Sequence, residues 1–181
     1  MKKITLGVLL LFVLNCFSQE EKEQKLFYSF TINATLARNT NYGEYDYFTG
    51  EEDRNIFAVG AFFLRNGVEL KMNKLLTTGL KFGIDYHSES DILAFPYYVD
   101  SKITISEVDD DKFYVSGGLG KLLKISNSFE KGTYYKIGIG YHIATDARHL
   151  FILNLDFHQK NFANFEKGKL NSLSIGFGML F

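Results

Sequence analysis

Residues 172–181 read S-L-S-I-G-F-G-M-L-F. On an extended chain Leu173, Ile175, Phe177, Met179 and Phe181 share one face, while Ser172, Ser174, Gly176 and Gly178 share the other, with Leu180 the one exception. One face of this strand calls for an apolar medium and the other is small and polar.

The same alternation recurs upstream. In 26–36, Leu26, Tyr28, Phe30, Ile32, Ala34 and Leu36 oppose Ser29, Thr31, Asn33 and Thr35. In 75–87, Leu76, Leu80, Phe82, Ile84 and Tyr86 oppose Gly79, Lys81, Gly83, Asp85 and His87. In 92–106, Leu93, Phe95, Tyr97, Val99, Ile103 and Ile105 oppose Pro96, Tyr98, Asp100, Lys102 and Thr104. In 133–143, Tyr135, Ile137, Ile139, Tyr141 and Ile143 oppose Lys136, Gly138, Gly140 and His142. Further on, Phe151, Leu153, Leu155 and Phe157 oppose Asn154, Asp156 and His158. The stretch 112–123 is Gly-rich and weaker.

In 55–72 the lower half alternates, and the upper half, I-F-A-V-G-A-F-F-L, is apolar on both faces. Asn66-Gly67 inside it is a strong hairpin signal. A turn there would leave 68–72 too short to cross a membrane, and the apolar parity runs through it. One long strand with a bulge or kink at Gly67 is therefore expected. Pro96 is placed near the loop end of its strand, where a missing ladder bond costs least.

The connections alternate in length. A long acidic and aromatic segment, 38–54, separates the first two strands. Short breaks follow at 73–74, 88–91, 107–111 and 145–148, with loops at 125–132 and 159–169. Eight antiparallel strands of this kind close into an up-and-down transmembrane β-barrel, an all-β fold.

The first eighteen residues are a separate object. Lys2 and Lys3 precede an apolar run, 4–14, that is too short to span a bilayer as a helix, which needs about 20 residues. Cys16-Phe17-Ser18 offers a cleavage site, so 1–18 is expected to be a cleaved signal peptide, 19–25 a short lead-in and 26–181 the barrel. Cys16 is the only cysteine, and its context, with Asn15 before it, fits a lipoprotein signal poorly. Loss of Lys2 and Lys3 moves the net charge from -1 to -3, which gives no basic field for nucleic acid. With 181 residues there is room for one domain.

Signal peptide, Gly- and aromatic-rich alternating strands, Y-K-I-G-I-G-Y-H-I-A-T-D at 135–146 and L-N-S-L-S-I-G-F-G-M-L-F at 170–181 together resemble the Gram-negative outer-membrane β-barrel family, in its small eight-stranded, porin-like form. The resemblance covers essentially the whole mature chain. It implies an outer-membrane location and contact with outer-membrane lipid. It also implies an assembly signal in Phe177, Met179 and Phe181, read by the barrel-insertion machinery. It says little about function, because one fold hosts many. A soluble lipocalin-like carrier would show the same alternation turned inside out. The opposed charges on the polar face, the outward tyrosines 28, 86, 97, 135 and 141, and the aromatic ending favour the membrane.

The inward set comprises Arg65, Glu69, Lys71, Lys81, Asp85, Asp100, Lys102, Lys136, His142 and Asp156. A narrow barrel holds side chains and little else, so a network of paired charges plugging the lumen is expected, with a narrow polar conduit as the alternative. Asp85, His87, Ser88, Glu89 and Ser90 cluster at a strand end. Small outer-membrane enzymes that acylate or deacylate lipid A use such residues near the rim, which makes a rim-site hydrolase or acyltransferase a second hypothesis. Parity opposes it, because His87 faces the lumen and adjacent Ser88 points the other way. The four histidines, 87, 142, 149 and 158, lack metal-ligand spacing, and no phosphate-cradling loop is present, so neither metal nor cofactor is expected. In 38–54, Tyr42, Glu44, Tyr45, Asp46 and Tyr47 form a candidate surface for an extracellular partner. The first expectation is a non-enzymatic barrel with a structural or surface-binding role.

Overall fold

A computed structural model describes residues 25–38, 45–46, 50–52, 57–88, 91–125, 131–145, 149–162 and 168–181. The signal-peptide segment and all of the lead-in except Lys25 lie outside the described residues. Alternating apolar and polar residues leave each strand with two incompatible faces, and closing the sheet on itself separates them. Eight long strands do this: β1 (Leu26–Arg38), β4 (Phe57–Lys71), β5 (Leu76–His87), β6 (Ile92–Val108), β7 (Asp111–Leu123), β8 (Gly132–Ala144), β9 (Leu150–Phe162) and β10 (Lys169–Leu180). Between β1 and β4, the short strands β2 (Tyr45–Asp46) and β3 (Glu51–Glu52) pair with each other outside the barrel.

The barrel order is β1-β10-β9-β8-β7-β6-β5-β4, with β1 returning to β4. Every pairing is antiparallel, so the topology is up-and-down. The seam that removes both sheet edges joins β1 to β10, with Asn33 opposite Gly176 and Thr31 opposite Gly178. One end of the barrel carries both ends of the described chain and the turns after β4, β6 and β8. The other, the loop end, carries the last residues of β1, β5, β7 and β9 and the first of β4, β6, β8 and β10.

The tight turns have local causes. Asn73 Oδ1 accepts from the amides of Leu75 and Leu76, both at 2.8 Å, and turns the chain between β4 and β5. Asp109 and Asp110, at φ 51° and 69°, make the two-residue link between paired Val108 and Asp111. Positive φ at both central positions matches the twist of the flanking strands.

Three expectations change. The strand through Asn66-Gly67 is continuous, but it has no bulge at Gly67, where the pairings to Ser29 and Lys81 stay in register. The irregularity falls instead between Thr35 and Leu36, which pair with Ala61 and Val59 and leave Gly60 between them. Gly67 faces the lumen, where a Cβ would collide with the Lys81 side chain and the Leu80 carbonyl, so its glycine makes room for a crossing lysine. The polar loop expected at 159–169 begins later. Gln159, Lys160, Asn161 and Phe162 continue β9, pairing with Asn171, Leu170 and Lys169 of β10 and with Gly132–Tyr135 of β8. Finally, β6, expected to end at 106, runs to Val108: beyond Ile103 opposite Leu76, the Thr104 amide still donates to the Leu75 carbonyl at 2.8 Å, and the rest of the overhang pairs with β7.

The apolar faces point outward. Leu80, Leu119, Ile137, Leu173, Ile175 and Phe177 are exposed, Phe177 by 63%, while Arg65, Asp85, Asp100, Asp156 and Lys160 are buried. Leaving such a side chain in water forgoes roughly 1.5–3 kcal/mol each. A soluble barrel carrier has the opposite distribution, apolar inside and polar outside.

Candidate functional site

The lumen concentrates the chemistry, and its charges fall into three groups along the axis. Nearest the loop end, Asp85 on β5 takes a forked pair of hydrogen bonds from Arg65 on β4, the Nη2–Oδ2 arm at 3.0 Å. Its Oδ2 also meets Lys160 Nζ at 2.7 Å. Lys160 donates to His87 Nε2 at 2.8 Å and sits 3.9 Å from the centre of the Phe63 ring. One carboxylate thus holds two cations, and the surplus is spread over an imidazole and an aromatic face.

In the middle, Lys136 on β8 bridges Asp100 on β6, at 2.9 Å, and Asp156 on β9, at 3.6 Å. Bare glycines make room for this group. A Cβ on Gly138 would collide with Asp156 Oδ1, and one on Gly176 with the Asn33 and Asn154 amides. A cavity of about 30 Å³ lies beside Asn33, Asn154 and these carboxylates. Asn33 Oδ1 and Asn154 Oδ1 are buried and make no hydrogen bond to protein.

Toward the terminal end, Glu69 on β4 accepts from Lys102 with both oxygens, at 2.9 and 2.8 Å, and from Lys81, which also reaches Ser29. Lys102 further approaches His142 Nε2 at 3.4 Å and the Tyr114 ring at 5.0 Å. Lys71, the last residue of β4, lies at the terminal mouth and lines a second cavity there.

A polar chain links the upper group to the seam. Arg65 donates to the Tyr134 oxygen at 3.4 Å, Tyr134 meets His158 Nδ1 at 2.6 Å, and His158 Nε2 meets Ser174 Oγ at 2.7 Å. Ser174 in turn donates to the Asp156 carbonyl at 3.4 Å. With Arg65 donating to Tyr134, the phenol proton goes to Nδ1 and the His158 Nε2–H goes to Ser174. The Ser174–His158 pair has the spacing of a nucleophile and its base, but the imidazole donates rather than accepts. Both residues are 1% exposed, so no substrate reaches them.

Lys160, Tyr134 and Ser174 join the lumen network beyond the residues expected there. Lys160 was lost because Gln-Lys-Asn reads as loop. Its parity with Asn154, Asp156 and His158 was the available signal. The rim cluster is not assembled among the described residues. His87 is turned into the lumen, whereas Ser88 is exposed and bonds the carbonyls of Val59 and Gly60 at 3.1 and 2.9 Å. Glu89 and Ser90 lie outside the described residues, as do Tyr42, Glu44 and Tyr47. Tyr45 and Asp46 form β2, opposite Glu52 and Glu51. Phe177 and Phe181 are exposed on the outer surface. Phe181 pairs its backbone with Tyr28 through reciprocal bonds of 2.8 and 3.1 Å, and the two rings lie 6.2 Å apart. Met179, between them, is half-buried. No group of three His, Cys, Asp or Glu side chains among the described residues converges as a metal site would.

No family model matches the sequence, and no curated protein is significantly similar to it. Solved structures do match. A de novo designed transmembrane β-barrel superposes with a TM-score of 0.50 at 9% identity, over 90% of this chain and 98% of that one. Ail, the attachment invasion locus protein of Yersinia pestis, gives 0.44 at 11% identity, over 88% and 100%. The outer membrane protein AlkL, determined in lipid bilayers, gives 0.41 at 8% identity, over 90% of both chains. At these identities the likeness is one of fold, and the fold is the eight-stranded transmembrane β-barrel.

Proposed function

We propose that this chain is an integral outer-membrane protein: a rigid, non-enzymatic barrel with a plugged lumen, which acts through the surface it presents at its loop end. The observation that carries this reading is the inversion of the two faces. Outward positions are Leu, Ile, Val, Phe and Tyr, and the inward ones hold Arg65, Lys81, Lys102, Lys136 and Lys160 against Glu69, Asp85, Asp100 and Asp156. Only a bilayer suits that exterior, and only mutual pairing suits that interior.

The plug rests on two features. The ion pairs span the lumen in three successive groups, and above them Ile92, Ala94, Tyr98, Leu122, Tyr134 and Phe162 pack into one apolar cluster. The non-enzymatic reading rests on the separation of His87 from Ser88 and on the closure of the Ser174–His158 pair. The segment 38–54, with Tyr42, Glu44, Tyr45, Asp46 and Tyr47, is the surface we assign to an extracellular partner. The outer face of β10, with Phe177 and Phe181, is assigned to contact with lipid and with the barrel-insertion machinery.

Expression in a Gram-negative host tests the reading. The protein is expected to fractionate with the outer membrane, to migrate faster on gels before boiling than after, and to show no steady conductance in a planar bilayer. Replacement of His87 and Ser88 by Ala is expected to leave lipid A acylation unchanged. Recovery in the soluble periplasm, a stable conductance, or an altered acylation pattern would each overturn the corresponding part.

A further inference from the structure

In the middle of the lumen Asn33 Oδ1, Asn154 Oδ1, Asp100 Oδ1 and Asp156 Oδ1 are buried and accept no hydrogen bond from the described residues. All of these residues line the same cavity of about 30 Å³. The direction of each amide is fixed by its other end. Ser174 gives its own proton to the Asp156 carbonyl and accepts from His158, so Asn33 turns its Nδ2–H toward Ser174 Oγ, at 3.4 Å. Asn154 donates its Nδ2–H to Asp156 Oδ2. Each amide oxygen is therefore the end left over. The two asparagines meet over a glycine: both pair with Gly176, from opposite sides of β10, and both amides crowd the point where its Cβ would stand. Asp100 Oδ1 and Asp156 Oδ1 face Lys136 at 2.9 and 3.6 Å, close enough for charge pairing but without hydrogen-bond geometry.

Buried acceptors without a donor are costly to leave unmade. Whatever completes these must be small, must donate hydrogen bonds and must be uncharged. An anion would face oxygens that repel it. A cation would face Arg65, Lys81, Lys102 and Lys136, which line the same cavity, and the only carboxylates lining it are already paired with Lys136. Water meets all three conditions. A cavity of this size holds roughly one or two waters, and a buried water typically makes about three hydrogen bonds to polar groups that the protein leaves unsatisfied.

We infer that the middle of the lumen is a built water site, in which held water donates to Asn33 Oδ1 and Asn154 Oδ1 across Gly176 and to the Asp100 and Asp156 oxygens beside them. The water ties β1 to β9 over the bare face of β10 and completes the ion-pair layer that side chains alone leave open. The inference rests on the reading of the lumen as plugged, and it does not depend on the role proposed for the loop end.

The test uses the full-length folded protein with isotope-labelled asparagine in nanodiscs. NMR follows magnetisation transfer from water to the side-chain amide protons of Asn33 and Asn154, in the laboratory frame and in the rotating frame. Transfer of opposite sign in the two frames marks held water and is the expected result. No transfer would overturn the water site and leave the plug standing. Transfer of equal sign marks water passing freely and would overturn both. Exchange of sodium chloride for choline chloride is expected to move neither amide, and a saturable shift with sodium would overturn the proposal in favour of a cation. Ile152→Phe and, separately, Thr31→Ile enlarge a side chain that lines the cavity. Each variant that keeps its gel-mobility shift is expected to lose the transfer at both amides. Transfer that persists in a folded, filled variant comes from the Ser174 hydroxyl or the Lys136 ammonium instead and would overturn the proposal.

Discussion

Asp85 shows what a single residue carries in this lumen. It is 0% exposed and pairs with both Arg65 and Lys160. Removing its charge leaves two buried cations facing each other across a neutral group. Breaking a buried pair costs about 3–5 kcal/mol, so Asp85→Asn is expected to lower unfolding free energy in lipid vesicles by at least that much. Glu107→Gln breaks a pair open to water and is expected to cost less than about 1 kcal/mol in the same urea titration. Equal losses would mean that the lumen is wet and screened. Space is as tightly set as charge. Gly138→Ala places a methyl against Asp156 Oδ1 and the Leu155 carbonyl, and is expected to destabilise by about 1–3 kcal/mol in the same titration.

On the scale of the strand, β10 states the rule for the others. Leu173, Ile175 and Phe177 are exposed, while Ser174 is buried beside His158. A charge on the outer face near mid-bilayer costs about 2–4 kcal/mol, so Ile175→Arg is expected to reduce folding yield and stability in vesicles by that amount. Little change would mean that this face is not in lipid. Period-two alternation made this strand, most of its companions and most of the inward charges legible from sequence, because side-chain direction follows parity alone; β7 and the upper half of β4 showed it only weakly. What stayed illegible depends on neighbours across the barrel. Lys160 looked like a loop residue because only pairing to Gly132–Tyr135 and 169–171 keeps β9 extended that far. Gly67 looked like a turn or bulge because the lysine that crosses it lies on another strand. Tyr134 and Ser174 gained their roles only when closure brought Arg65 and His158 to them.

For the whole molecule, the account comes down to where each solvent lies. A closed barrel with aliphatic and aromatic side chains outside and paired ions inside requires lipid around it. Site-directed spin labelling of β10 in lipid bilayers tests the central claim most directly, because Cys16 is the only native cysteine and is easily replaced. Labels go at 173, 175, 177 and 179 on one face and at 174 and 180 on the other. Positions 176 and 178 are left as glycine, since any side chain there would collide with the facing strands. The account predicts that the odd positions are readily relaxed by oxygen dissolved in the lipid and are shielded from a water-soluble nickel reagent. Position 174 is shielded from both, and position 180, which lines the cavity at the terminal mouth, is shielded from oxygen in the lipid. Ready access of the nickel reagent to 173, 175 and 177 would contradict it.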